Sequence, residues 1–96
     1  MDKILTNDQI IQFKNDGAIF LKNAFDVDWI NKLKKGIERD IKNPSPRFKS
    51  HTIEENVPKY LEDYWTWDLV PEFKDFVFNS PYAKIASELM EAKKIN

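Results

Sequence analysis

Apolar residues recur at helical spacing in four stretches of the chain, and a residue suited to capping a helix precedes each stretch. The first predicted helix spans about 7–16. Thr6 and Gln9 have the spacing of a capping box at its start, and Gly17 is suited to the left-handed position after its end. The apolar run 18–22 that follows is short and rich in branched and aromatic residues, so we expect a strand there.

The second helix has the clearest periodicity. Asp26 is its expected N-cap, and Pro44 ends it because the residue before a proline disfavours helical geometry. Its apolar stripe comprises Ile30, Leu33, Ile37 and Ile41. Gly36 lies inside this helix, where glycine costs about 1 kcal/mol relative to alanine. We therefore expect Gly36 to allow close approach by another element.

A proline-containing region separates this helix from the next. Residues 44–58 hold three of the five prolines and little periodicity, and we expect an ordered loop anchored by Phe48 and Ile53. Asp68 is the expected cap of a third, short helix that continues to about Val77.

The last predicted helix begins at Ser80-Pro81. Ser80 is its expected cap, and Pro81 suits the first helical position because its missing amide has no partner there. The expected buried stripe comprises Tyr82, Ile85, Ala86, Leu89 and Met90. The whole pattern predicts a mainly α (α+β) fold, with about four helices and a short strand near residues 18–22, in a single small domain over residues 1–96.

Composition narrows the classes of function. The 96 residues include 15 basic and 16 acidic side chains, for a formal net charge of −1, which argues against a protein that binds nucleic acid through its phosphates. The chain has no cysteine, which excludes disulfides and thiolate metal sites. We see no secretion signal and no stretch of transmembrane length, and therefore expect a cytoplasmic protein without a membrane partner.

Polar candidates for chemistry are few. His51 is the single histidine, and the simplest interpretation is an exposed loop residue. A Ser-His-Asp arrangement is formally possible with it, but no nucleophile-elbow sequence supports one. Acidic residues also gather near the loop, namely Glu54, Glu55, Glu62 and Asp63. Paired carboxylates can carry out acid–base chemistry when their pKa values differ, but a solvated acidic face is the simpler interpretation.

Aromatic residues are concentrated in the segment 60–67, which contains Tyr60, Tyr64, Trp65 and Trp67. We favour the interpretation that they form the core of a small fold. The alternative is a surface that binds a quaternary ammonium, a sugar or a base. Closely spaced aromatic residues cannot all face inward, so Tyr64, Trp65 and Trp67 are candidates for a substrate pocket or an interface.

Several segments, taken in order, resemble one enzyme family. These are Leu5-Thr6-Asn7-Asp8-Gln9, Phe13-Lys14-Asn15-Asp16-Gly17, Ala18-Ile19-Phe20-Leu21-Lys22-Asn23, Phe25-Asp26-Val27-Asp28-Trp29-Ile30, Asn43-Pro44-Ser45-Pro46, Asp63-Tyr64-Trp65-Thr66-Trp67 and Pro71 to Pro81. Over nearly the whole chain they are similar to the N-terminal region of the phytanoyl-CoA dioxygenase family. Members of that family are non-haem Fe(II)/2-oxoglutarate oxygenases.

The resemblance implies a function that depends on residues outside this sequence. The family's jelly roll carries His-x-Asp and a distal histidine on the metal, with an arginine for 2-oxoglutarate, and all of these would follow Asn96. His51 does not match, because Ile53 stands where the aspartate would be. No catalytic, metal or cofactor residue is therefore assigned to this chain. Fe(II) and 2-oxoglutarate are implied only for a full-length member.

Two hypotheses about function follow. In the first, the chain is an N-terminal fragment or truncated form of such an oxygenase. The family reaction is hydroxylation of a small organic substrate, and this chain is expected to be inactive alone. In the second, it is a stand-alone helical module for binding or self-assembly. The expected partner is accordingly the missing C-terminal jelly-roll domain or a second copy of the chain, which makes a homo-oligomer.

Overall fold

A computed structural model describes residues 3–51 and 59–95, and this part of the chain contains four helices and two very short strands. The elements are α1 (Asn7–Asp16), α2 (Val27–Lys42), β1 (Lys49–Ser50), β2 (Leu61–Glu62), α3 (Pro71–Asn79) and α4 (Tyr82–Met90). The predicted mainly α class is confirmed. The expected loop anchor Ile53 lies outside the described residues.

Helix α1 begins and ends as its sequence predicts. The Gln9 amide donates to the Thr6 hydroxyl at 3.2 Å, and the Thr6 amide donates to the Gln9 side chain at 2.8 Å, which completes the capping box. Gly17 adopts a φ of 74° and donates its amide to the Phe13 carbonyl, so the left-handed end is also confirmed.

The predicted strand at residues 18–22 is wrong. This segment runs without regular structure, because no described strand lies beside it to exchange backbone hydrogen bonds. Its alternating burial has another origin: Ile19 and Leu21 are half-buried against the helices, whereas Phe20 points into solvent. The observed strands are β1 and β2, which pair antiparallel with Lys49 opposite Glu62.

Helices α2 and α3 pack closely at Gly36, as the sequence predicts. A Cβ at this position would lie 2.6 Å from Phe73 Cε1, well inside normal van der Waals contact. Two ion pairs flank the contact, Lys32 with Asp75, and Arg39 with Glu72 through two bonds of 2.8 and 2.9 Å. The contact therefore depends on the missing side chain and on charge pairing at its edges.

The start of α3 differs from the prediction. Asp68 does not cap this helix; Val70 occupies the cap position, and Pro71 is the first helical residue. The Thr66 carbonyl accepts the amides of Leu69 and Val70, so a turn that includes Asp68 precedes the helix. Val70 is only 3% exposed, and its burial places the start of α3 without a side-chain cap.

Ser80 joins α3 to α4 through its hydroxyl. The hydroxyl donates to the Phe76 carbonyl at 2.6 Å and accepts the Tyr82 amide at 3.2 Å. Helix α4 itself begins at Tyr82, with Pro81 rather than Ser80 at the cap position. The predicted start is therefore wrong by one residue, because Ser80 also ends α3.

The core lies between α1 and α4. Leu5, Ile10 and Ile85 form a buried cluster, and the Glu88 carboxylate accepts the amides of Ile4 and Leu5 at 2.9 Å, which ties the N-terminal segment to α4. The predicted α4 stripe is correct at its centre, where Ile85 is buried and Ala86 and Leu89 are half-buried. It is wrong at its two ends, because Tyr82 and Met90 extend past the packed region and are exposed.

This core is small for the length of the chain. The surface area is 8046 Å², about 2300 Å² more than is typical for a folded monomer of this mass. The Cα radius of gyration is 16.4 Å, against about 12.5 Å for a compact domain of this length. Large apolar side chains on α2 and in the segment 64–69 therefore remain exposed.

The contact at Gly36 predicts an unusual effect of alanine. Gly36→Ala should lower the free energy of unfolding by about 1–2 kcal/mol, because overpacking against Phe73 outweighs the helix-propensity gain of about 1 kcal/mol. Urea unfolding followed by circular dichroism measures the change. Lys35→Ala, on the exposed side of α2, is the matched control and should be neutral within about 0.5 kcal/mol. A stabilised Gly36→Ala variant would contradict the packing.

Candidate functional site

The aromatic residues of the segment 64–67 lie on the surface. Together with α3 and α4 they form one exposed area, here called the aromatic surface, which comprises Tyr64, Trp65, Trp67, Phe78 and Tyr82. Trp65 is 73% exposed, and Trp67, the least exposed of the five, is 41% exposed. The interpretation of this segment as core is therefore wrong. Tyr60 is also exposed, but it lies at the strand pair, beside the ring of His51.

Three shallow depressions adjoin one another around Trp67. The first, of about 460 Å³, lies between Trp65 and the α2–α3 packing, where Leu33 and Phe73 line it. The second, of about 570 Å³, has an apolar lining that includes Phe78, Tyr82 and Ile95. The third, of about 510 Å³, is the polar one and is lined by Pro46, Arg47, Trp65, Trp67, Asp68 and Leu69. Trp67 is common to all three.

The aromatic surface continues inward as a chain of ring contacts. The Trp67 and Phe78 rings meet edge to face with centroids 5.8 Å apart. The ring of Tyr82 lies 5.5 Å from that of Phe76, which in turn contacts the rings of Phe25 and Trp29 at 5.2 and 6.0 Å. Ring pairs at these distances contribute about 0.5–1.5 kcal/mol each beyond area burial. They hold the α3 and α4 side of the surface in place.

Arg47 holds the other side. Its guanidinium donates to the Tyr64 and Trp65 carbonyls, both at 2.9 Å, and lies 5.6 Å from the centre of the Tyr64 ring. Trp65 adopts a φ of 56°, a left-handed conformation that is unusual for a large residue. The guanidinium of Arg47 binds the carbonyls of the two peptide groups that flank Trp65, and so it supports this conformation.

The carboxyl groups of Asp63 and Asp40 form a pair next to the same segment. Asp63 accepts hydrogen bonds from the Ser45 amide at 3.0 Å, from the buried Ser45 hydroxyl, and from the Tyr64 amide at 2.9 Å. Burial acts to raise the pKa of Asp63, but the bonds from Ser45, Asp40 and Tyr64 outweigh it and hold that pKa below its usual value. Burial, the hydrogen bond to Asp63 and repulsion from its charge raise the pKa of Asp40 to about 6.

His51 and Glu62, the remaining polar candidates that the structure describes, lie at the strand pair and are not part of the aromatic surface. His51 is exposed, and its Nε2 lies 2.8 Å from a carboxylate oxygen of Glu62 across the strand pair. Glu54 and Glu55 lie outside the described residues. In 3–51 and 59–95, no group of three or more histidine, cysteine, aspartate or glutamate side chains has a geometry that could hold a metal ion. A single histidine also does not fit a two-histidine, one-carboxylate iron centre.

The geometry favours a binding site over a catalytic one. Flat apolar rings lie beside one guanidinium, that of Arg47, and one carboxylate, that of Asp68, which is the usual composition of a site that binds an organic molecule or another protein surface. The clustering of aromatic residues in the sequence indicated Tyr64, Trp65 and Trp67 as members of this site but did not indicate Arg47, Phe78 and Tyr82. The available signal for Arg47 was its place beside Pro44-Ser45-Pro46, in a loop short enough to reach the segment.

The carboxyl pair makes stability depend on pH. The folded chain holds the Asp40 proton more tightly than the unfolded chain does, so the contribution of Asp40 to the free energy of unfolding should fall as pH rises from about 4 to about 6. Asp40→Asn keeps a donor for Asp63 and removes this titration. We expect the stability of this variant relative to the wild type to increase by about 1–2 kcal/mol between pH 4.5 and pH 7, a figure reduced for solvent screening.

Urea unfolding at the two pH values measures this difference. Asp40→Ala is the control: it also removes the titration but cannot donate to Asp63, so it should be less stable than the wild type at pH 4.5. Equal pH dependence in the wild type and in Asp40→Asn would show that Asp40 does not share a proton with Asp63.

Comparison with known proteins adds no relative. No family model, no curated protein and no solved structure matches the chain. Among the described residues, no helix is long and apolar enough to cross a membrane.

Proposed function

We propose that the chain is the helical N-terminal region of a cytoplasmic Fe(II)/2-oxoglutarate oxygenase similar to phytanoyl-CoA dioxygenase. In this proposal the aromatic surface faces the catalytic part of the protein and forms a wall of its substrate entrance. The observation that carries the proposal is an exposed aromatic surface whose backbone is hydrogen-bonded to the side chains of Arg47 and Asp63. The resemblance of the sequence supports the choice of family.

Rigidity is the property that a binding wall requires. Aromatic side chains have few rotatable bonds, so they offer a large contact area with little loss of conformational entropy. The positive φ of Trp65 and the fork of Arg47 fix the direction of the Trp65 Cα–Cβ bond before any contact forms. These backbone hydrogen bonds therefore support a binding role for the exposed rings.

The chain contributes no metal ligand in this proposal. With one histidine, it does not fit the family's iron centre, so no reaction step is assigned to its residues. Its role is to bind the substrate and to exclude water on one side of the reaction site. The Asp68 carboxylate and the Arg47 guanidinium, which border the same depression, supply polar contacts to a substrate.

The second hypothesis, a stand-alone module for binding or self-assembly, also has a supporting observation. Several apolar residues of α2 that do not belong to the aromatic surface are exposed, and such residues favour a protein partner.

The reading frame after Asn96 tests the proposal first. We expect a His-x-Asp sequence followed by a distal histidine and an arginine. A stop codon at that point, or a frame without this set, contradicts the proposal and favours the stand-alone module.

If the frame continues, kinetics on the longer protein test the role of the aromatic surface. Trp65→Ala should raise KM for the organic substrate about tenfold and leave succinate production without that substrate unchanged, because only contacts to the substrate are lost. Phe20→Ala removes an exposed aromatic ring outside the surface and should change neither value. Equal effects of the two variants on KM would refute the proposal that the aromatic surface contacts the substrate. The 96-residue chain alone, given Fe(II) and 2-oxoglutarate, should release no succinate.

A further inference from the structure

The apolar side chains of helix α2 lie on two adjoining faces. One face packs on α3 and is centred on Leu33 and Gly36. The other carries exposed side chains along the full length of the helix and is here called the α2 seam. It comprises Val27, Ile30, Lys34, Ile37 and Ile41.

The spacing of the α2 seam is that of a coiled coil. Its members follow one another at intervals of three, four, three and four residues, the pattern of positions a and d in a heptad. At about 100° per residue they cover an arc of roughly 80°, which is narrower than the stripe by which a helix packs on a globular core. A narrow seam of this kind fits another helix better than it fits a sheet.

We infer that the α2 seam packs against the same helix of a second copy of the chain, in antiparallel orientation, to form a symmetric dimer. One partner in a standard interface buries about 800 Å², and the chain as a whole exposes about 2300 Å² more surface than a typical monomer of its mass, so it has surplus surface for such a contact. The seam shares no residue with the aromatic surface, so this inference does not depend on the proposed function.

The single lysine of the seam selects the orientation. In a parallel pair, two Lys34 side chains would meet directly at the centre of the contact and repel each other. In an antiparallel pair, Lys34 lies beside Ile37 and Glu38 of the second copy, where its stem contacts an apolar residue and its ammonium faces a carboxylate. The helix dipoles also oppose each other in this arrangement, which is favourable.

The apolar surface extends beyond the N-terminal half of the seam. Ile30 also lines a groove of about 430 Å³ whose other residues include Ile19, Leu21 and Phe25. The end of the partner helix would lie over this groove, because Ile41 of the second copy falls opposite Ile30. This continuity gives the contact a wider base than a single pair of 16-residue helices.

Sedimentation equilibrium of the 96-residue chain between about 5 and 500 μM tests the dimer. The wild type should show a concentration-dependent approach to twice the monomer mass. Ile37→Lys should abolish association, because it places a second charge at the centre of the seam. Lys34→Ile should tighten Kd at least tenfold and still reach a limiting mass of two chains, whereas a misfolded variant would associate without such a limit.

Met90→Lys is the matched control, since it places the same charge on an exposed apolar position of another helix. It should leave Kd unchanged, and circular dichroism should show the same helix content in every variant. A wild type that remains monomeric at 500 μM overturns the inference. So does an equal loss of association in Met90→Lys and Ile37→Lys, or a Lys34→Ile variant with unchanged Kd.

Engineered cysteines test the orientation, and the native chain adds no background because it has none. In an antiparallel dimer, Lys34→Cys mixed with Ile37→Cys should form a disulfide between the two variants on mild oxidation. A parallel dimer should instead link Ile37→Cys to itself, and that result overturns the proposed geometry.

Discussion

The close approach of α2 and α3 at Gly36 is the constraint on which the rest of the described structure depends. With no side chain at position 36, the Phe73 ring packs directly on the α2 backbone, and ion pairs from Lys32 and Arg39 hold the edges of the contact. Because α3 is held there, Phe76 reaches the rings of Phe25 and Trp29. The same contact turns one side of α2 inward and leaves the α2 seam on another side.

The two exposed apolar regions have different structural origins, and this difference separates their roles. The α2 seam lies on one regular helix, so its shape follows from helical periodicity alone. The aromatic surface combines residues from a loop, a turn and two helices, and it depends on Arg47 and Asp63 for its shape. A regular seam fits a repeated protein element, whereas a composite surface is suited to an irregular partner such as a substrate or a folded domain.

Local signals in the sequence predicted the helices well. The capping box at Thr6, the left-handed Gly17 and the Asp26 cap depend on neighbours a few residues apart, and the structure confirms all three. The strand at 18–22 failed because a strand needs a partner, and the pattern within one segment does not reveal whether a partner exists. The Asp68 cap failed for a related reason, since the burial of Val70 determines where α3 begins.

The candidate site was only partly predictable, because its support comes from residues far apart in the chain. Aromatic clustering identified Trp65 and Trp67, but composition could not show that they lie outside the core. The contact of Arg47 with Tyr64 and Trp65 links positions 17 and 18 residues apart. The Asp40–Asp63 pair joins the end of a helix to a loop. Neither contact leaves a periodic signal in the sequence.

The left-handed conformation of Trp65 also bears on how this surface could diversify. Main-chain hydrogen bonds set the direction in which position 65 projects, and packing of its own side chain contributes little, because the ring is largely exposed. The position of the exposed group and its chemical identity therefore have separate origins. The Arg47 guanidinium and the backbone determine the position, and the residue at 65 determines the chemical group. Exchange of that one side chain therefore changes the group that is exposed at this position while the supporting fold stays the same.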